Sequence, residues 1–92
     1  MYVRITRGQG DPAKIEETIR LVPDLSAAVR ALPGCHGVQV AVDRATGKAV
    51  AVSTFDTLEH AQFARERLGD AITRLVAAGW QGEAPEFYEV VA

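Results

Sequence analysis

The chain has 92 residues, a formal net charge of −2 and one cysteine. That length specifies one domain spanning residues 1–92, and the charge gives no electrostatic drive toward nucleic acid or an anionic membrane. A single cysteine excludes an intrachain disulfide, and the longest unbroken apolar runs are far too short to span a bilayer.

In chain order, Tyr2 to Arg7 alternates, with Val3 and Ile5 on one side and Tyr2, Arg4 and Thr6 on the other, as a half-buried strand does. Gly8-Gln9-Gly10 ends it. Asp11-Pro12 then reads as N-cap and N1 of a helix, where the missing proline N–H is harmless. Ile15, Ile19 and Val22 supply its apolar stripe. Pro23 predicts an interruption, followed by a second helical piece with Leu25, Ala28, Val29 and Leu32 on one face. Pro33-Gly34 stops that piece.

Cys35 to His60 is the most informative stretch. Val38, Val40 and Val42 alternate before Asp43-Arg44-Ala45-Thr46-Gly47-Lys48, and Val50, Val52 and Thr54 alternate after it. This is a β-hairpin in which Gly47 takes the positive φ of the turn. Asp56, with Glu59 three residues later, has the pattern of a capping box. From Thr57 to about Ala78, Leu58, Ala61, Ala64, Leu68, Ile72, Leu75 and Val76 recur at spacings of three and four, which predicts one long amphipathic helix weakened at Gly69. Gly79 reads as its C′ residue, Gly79-Trp80-Gln81-Gly82 as a loop, and Glu86 to Val91 as a last strand.

The order βαββαβ predicts a ferredoxin-like α+β sandwich: a four-stranded antiparallel sheet with both helices on one face. Val3, Ile5, Val38, Val40, Val42, Val50 and Val52 are expected under the helices. Tyr2, Arg4, Thr6, Gln39, Ala41, Ala51, Ser53 and Phe55 are expected on the open face, facing a second sheet. With 48% hydrophobic residues in so short a chain, a second copy of the chain is the simplest cover for that face.

Several local signals are structural rather than chemical. Gly8-x-Gly10 lacks the third glycine of a phosphate loop, and Asp11 already places a negative charge at the helix start. Cys35 and His36 point to opposite faces of a strand and form no nucleophile–base pair. No set of three ligands suggests a metal. Phe63 lies off the apolar stripe, either as an exposed aromatic with Arg67 as its cation–π neighbour or as a cavity rim or subunit contact. Arg4 either pairs with an acid across a subunit contact or holds an anionic ligand oxygen.

The motifs Tyr2-Val3-Arg4, Leu32-Pro33-Gly34-Cys35, Asp43-Arg44 with Thr46-Gly47, Ser53 through Glu59, and Phe87 through Val91 resemble the antibiotic-biosynthesis-monooxygenase-like group of the dimeric α/β-barrel superfamily. The resemblance implies a homodimer whose sheets pack face to face and a cavity for a small aromatic ligand. It implies a cofactor-independent monooxygenase or, alternatively, a non-catalytic binding or structural dimer. Haem-degrading members use a first-strand Asn and a helical Trp and His. This chain has no Asn, and its only Trp is Trp80, so haem degradation is not expected. The expected pocket is Arg4, Thr6, Gln39, Ser53, Phe55 and Phe63. His60 is the candidate base, the only neutral-range titrating group expected near the pocket. No cofactor, metal, nucleic acid or membrane is expected. The absence of a leader-like segment and of disulfides suggests a cytoplasmic protein.

Overall fold

Strand β1 (Tyr2–Gln9) runs through the middle of an antiparallel sheet in a computed structural model that describes residues 1–92. On one side it pairs with β3 (Lys48–Phe55), which pairs in turn with β2 (Cys35–Val42). On its other edge lie two short strands, β4 (Gln81–Gly82) against Gly8 and Gln9, and β5 (Glu86–Glu89) against Tyr2 to Ile5. The single last strand expected from the sequence is thus split in two and ends at Glu89 rather than Val91. The loop assigned to Gly79–Gly82 contributes β4. The ferredoxin-like α+β architecture is otherwise as expected, with four strand positions and the helices on one face.

A 3₁₀ turn (Pro12–Lys14) capped by the Asp11 side chain, which accepts from Ala13 N–H at 2.9 Å, opens the first helix. Helix α1 then runs unbroken from Ile15 to Arg30, with Pro23 inside it. The predicted interruption does not occur. Pro23 is solvent-exposed, so the carbonyl that loses its helical partner can be satisfied by water instead, and the helix holds through the packing of its apolar face.

The β2–β3 hairpin closes as predicted. Gly47 has φ +78°, and its N–H donates to the Asp43 carbonyl at 2.8 Å. A bulge at His36 lets Cys35 oppose Phe55 while Gly37 opposes Thr54.

The segment after β3 differs most from expectation. One long helix was predicted; three short pieces form: α2 (Leu58–Ala61), a 3₁₀ turn (Arg65–Leu68) and α3 (Asp70–Ala77). Thr57, not Asp56, is the N-cap, its hydroxyl accepting from His60 N–H at 3.1 Å. Gly69 takes φ +59° and ψ −136°, a conformation close to glycine-only, which separates the 3₁₀ turn from α3. The earlier break, at Gln62–Ala64, has a different cause. The Arg4 guanidinium donates from Nη1 to the carbonyls of both Ala61 and Phe63, each at 3.0 Å. Those carbonyls are satisfied from the sheet rather than by the next helical turn.

The register of the sheet settles its two faces. Arg4 opposes Ser53, which opposes Val38; Thr6 opposes Ala51, which opposes Val40. Directly opposed residues share a face. Tyr2, Arg4, Thr6, Val38, Val40, Val42, Ala51, Ser53 and Phe55 therefore lie together under the helices. Phe55 is 0% exposed and packs with Val29, Leu32 and Ala61. The open face carries Val3, Ile5, Gln39, Ala41, Val50, Val52 and Thr54. The face assignment was correct for β2 and inverted for β1 and β3. The physical reason is that β3 turns its small residues (Ala49, Ala51, Ser53) inward and leaves its valines on the open side.

Candidate functional site

Small inward residues leave room between the sheet and the helices. The result is a cavity of about 360 Å³. Its floor is the inner sheet face, with Arg4 and Thr6 from β1, Val38, Val40 and Val42 from β2, and Ala51 and Ser53 from β3. Its roof comes from Thr18, Val22, Leu25 and Val29, which recur at helical spacing on α1, and from Ile72 and Leu75 on α3. Phe63 and Trp80 also line it. A mostly apolar cavity with a few convergent polar groups is the usual form of a small-molecule site.

Arg4 is the polar centre of this cavity. Its register partners are Ser53 on β3 and Phe87 on β5. The guanidinium carbon lies 3.8 Å from the Phe63 ring centroid and 5.6 Å from that of Phe87. The Phe63 ring in turn packs on Phe55, with centroids 5.6 Å apart and planes tilted by 45°. Phe63 is thus half-buried against Arg4 rather than an exposed ring beside Arg67. Burial pulls the Arg4 pKa below the ordinary guanidinium value, and the group stays charged at neutral pH. None of the chain's four ion pairs includes Arg4. Nη1 is committed to two carbonyls, and the hydrogen bonds of Arg4 within the chain leave its other nitrogens free to donate.

Four of the residues expected in the pocket line one cavity: Arg4, Thr6, Ser53 and Phe63. Arg4, Thr6 and Ser53 do so on the helix side of the sheet, not on the open face where they were expected. Gln39 is on the opposite face, paired with Val52. Phe55 is sealed in the core and cannot stack on a ligand. His60 does not line the cavity. Its Nδ1–H donates to Asp56 Oδ1 at 2.6 Å, in a half-exposed pair at the start of α2. That hydrogen bond holds the Asp56 carboxyl below its ordinary 3.8. The pair accounts for both side chains and removes His60 as a base for anything bound in the cavity.

Trp80, Thr18, Val22 and Leu25 were missed. The signal for Trp80 was present in the sequence. Gly8 in a strand and Gly82 beside the tryptophan mark a close approach, and a Cβ on Gly8 would collide with Trp80 Cζ2 and Cη2. On the open face, Arg7 Nε donates to Glu86 Oε2 at 2.9 Å and Tyr88 donates to Glu86 Oε1 at 2.7 Å. The bond from Tyr88, then that from Arg7, lowers the Glu86 pKa, and Tyr88 is raised by the same contact. No group of histidines, cysteines and carboxylates is placed to hold a metal. No helix is long and apolar enough to cross a membrane.

No family model matches the sequence. Two uncharacterized proteins of Mycobacterium tuberculosis, MT2635 and Rv2558, are 33% identical over 69 residues, which is 74% of this chain. The chain spans 29% of the length of these relatives. Among solved structures, an antibiotic biosynthesis monooxygenase superposes with a TM-score of 0.78 at 19% identity, covering 100% of both chains. A variant of SnoaB, a cofactor-independent oxygenase from Streptomyces nogalater, superposes with a TM-score of 0.68 at 18% identity, covering 97% of this chain and 91% of its own. Rv0793 from Mycobacterium tuberculosis superposes with a TM-score of 0.74 at 13% identity, covering 99% of this chain and 95% of its own. The chain therefore has the fold of the antibiotic-biosynthesis-monooxygenase-like domains that its short motifs resemble.

Proposed function

We propose that this chain is a cofactor-independent monooxygenase-like protein that binds a small aromatic compound bearing an ionised oxygen, in the cavity between sheet and helices. The observation that carries this reading is Arg4: a half-buried cation in no ion pair, flanked by Phe63 and Phe87, in a mostly apolar cavity whose lining also includes Arg65 and Glu83. A buried charge normally has a counter-charge. A phenolate or carboxylate on an aromatic ring would supply one and would place its ring against the aliphatic walls.

The same cation suits oxygenation without a cofactor. A phenol must be ionised before its ring can give up electrons to O₂. Arg4 favours the phenolate by direct charge stabilisation. With one oxygen atom replacing two hydrogens, one from the ring carbon and one from the phenol, the product is a quinone. The second oxygen leaves as water, so no external reductant is required. The likeness to SnoaB supports this choice of chemistry.

We further propose that the working unit is a homodimer joined through the open sheet face. Val3, Ile5, Val50 and Val52 lie there without a covering layer, and a stable interface buries roughly 1,600 Å² in total.

A second reading, a binding protein without catalysis, is favoured by one observation: no imidazole faces the cavity. His60 is paired with Asp56, and His36 is exposed. Oxygen uptake with 1-naphthol separates the two. The oxygenase reading expects one O₂ consumed per 1,4-naphthoquinone formed, above the protein-free rate. Binding of 1-naphthol with no uptake would leave only the binding protein.

A further inference from the structure

The cavity has a far end that the anion-holding group does not reach. Arg4, Thr6 and Gly8 point to the same face of β1, so Arg4 and Gly8 are separated by four residues, roughly 13 Å along the strand. Gly8 pairs with Gly82 of β4. The Trp80 indole lies over this glycine pair: a Cβ on Gly8 would collide with its six-membered ring, and one on Gly82 would come within 3.3 Å of Nε1.

Trp80 is held there by how α3 ends. Gly79 takes φ +100°. Its N–H donates to the Val76 carbonyl at 3.0 Å, and Trp80 N–H donates to the Leu75 carbonyl at 3.0 Å. These are the two bonds of a Schellman motif, in which the residue in Trp80's place turns back toward the one in Leu75's. Both Trp80 and buried Leu75 line the cavity. The backbone thus fixes the indole at the end of the row that starts at Arg4.

We propose that Trp80 is the specificity-determining wall of this cavity, setting the longest ligand that can sit with its anionic oxygen on Arg4. This rests on the reading of the cavity as a site for an aromatic anion. The bulk of the indole can occupy the far end because position 8 is a glycine, and the glycine at position 82 spares it a tight contact at Nε1. Shrinking the ring there lengthens the cavity without touching Arg4, Ser53 or Phe63.

The test is calorimetric titration with benzoate, 2-naphthoate and 2-anthroate, one probe class of increasing length. It uses the wild-type chain, Trp80→Phe and Trp80→Leu. The wild type should bind 2-naphthoate best and reject 2-anthroate. Trp80→Leu should move the 2-anthroate to 2-naphthoate affinity ratio at least tenfold toward the longer probe, with Trp80→Phe in between. Trp80→Phe also keeps an aromatic cover on the glycines should the leucine variant fail to fold. As the only tryptophan, Trp80 in the wild type should also change its emission as 2-naphthoate binds. An unchanged ratio in the folded variants, with binding intact, would overturn the role of Trp80 and leave the cavity reading standing. Binding without any change in emission would do the same. Failure of the wild type to bind all three probes would overturn both.

Discussion

Arg4 donates a hydrogen bond to the carbonyl of Phe63 at 3.0 Å while its guanidinium lies 3.8 Å from the centroid of the same residue's ring. One side chain on the central strand thus fixes both the backbone and the ring of a residue 59 positions away. It also accepts the cost of ending a helix early, because the carbonyls freed at Ala61 and Phe63 are satisfied by the same nitrogen.

Arg4 is therefore structural as well as a candidate ligand group, and removing it should not leave the fold untouched. Arg4→Met leaves two part-buried carbonyls without a partner, at about 1–3 kcal/mol for such groups. It also loses a cation–π contact of about 0.5–1 kcal/mol. A net loss of about 2 kcal/mol is expected, which lowers Tm by roughly 10 °C in a domain of this size. Arg4→Lys should retain part of this. Thermal unfolding followed by circular dichroism is the measurement; an unchanged Tm in Arg4→Met would refute the structural role of the Arg4 bonds to Ala61 and Phe63.

Gly8→Ala should disturb Trp80 more than any strand property. The added Cβ meets the indole ring and the Gln81 carbonyl oxygen, and overpacking of this kind costs about 1–3 kcal/mol. Trp80 emission should shift to the red as the ring is pushed outward. Gly37→Ala is the matched control, because its Cβ meets nothing within 4 Å. That variant should be neutral or more stable by up to about 1 kcal/mol. Equal losses in the two variants would contradict the packing described for Trp80.

The Asp56–His60 pair makes a prediction about acid. The hydrogen bond from His60, the largest cause, lowers the Asp56 pKa below 3.8 in the folded chain. The folded state then binds this proton less readily than the unfolded chain. The stabilisation is complete above the unfolded value, near pH 4, and is lost as pH falls through the folded one. Asp56→Asn should flatten the decline of Tm on the acid side. The effect should be small, since the pair is solvent-screened. Parallel Tm–pH curves for the two proteins below about pH 4 would show that the pair contributes nothing.

Val52 sits at the centre of the open sheet face, opposite Ile5 on β1 and Gln39 on β2. Val52→Lys should leave the far-ultraviolet spectrum unchanged while splitting the proposed homodimer. Light scattering should report about twice 9.9 kDa for the wild type and 9.9 kDa for the variant. A wild type that scatters as a single chain at micromolar concentration would remove the dimer.

Element order and the hairpin were legible from local rules. Gly47 at the turn, Asp11 at a helix start and Gly79 at a helix end each impose a backbone geometry that neighbours cannot override. What failed was non-local. The periodicity from Leu58 to Val76 is helical, but at Gln62–Ala64 it is overruled by a guanidinium from the other end of the chain, in addition to the local break at Gly69. The faces of β1 and β3 failed for a related reason: apolar alternation identifies a face worth burying but not which layer buries it. Val3, Ile5, Val50 and Val52 were assigned to the helices, which in fact cover the smaller set. Arg4, Thr6 and Ser53 line one cavity because parity along each strand keeps them on one face whichever way the sheet turns, and Phe63 joins them because that face is the one under the helices. Gln39 was lost because β2 pairs in the opposite phase to the one assumed, and His60 because Asp56 claims its ring nitrogen.

The decisive measurement is a crystal structure of the chain with 2-naphthoate. The naphthyl ring should lie between the inner sheet face and α1, with the carboxylate within hydrogen-bond distance of the Arg4 nitrogens that make no bond to Ala61 or Phe63. A naphthoate seated instead on the open face over Ile5 and Val52, or a cavity that stays empty at saturating ligand, would contradict the cavity reading.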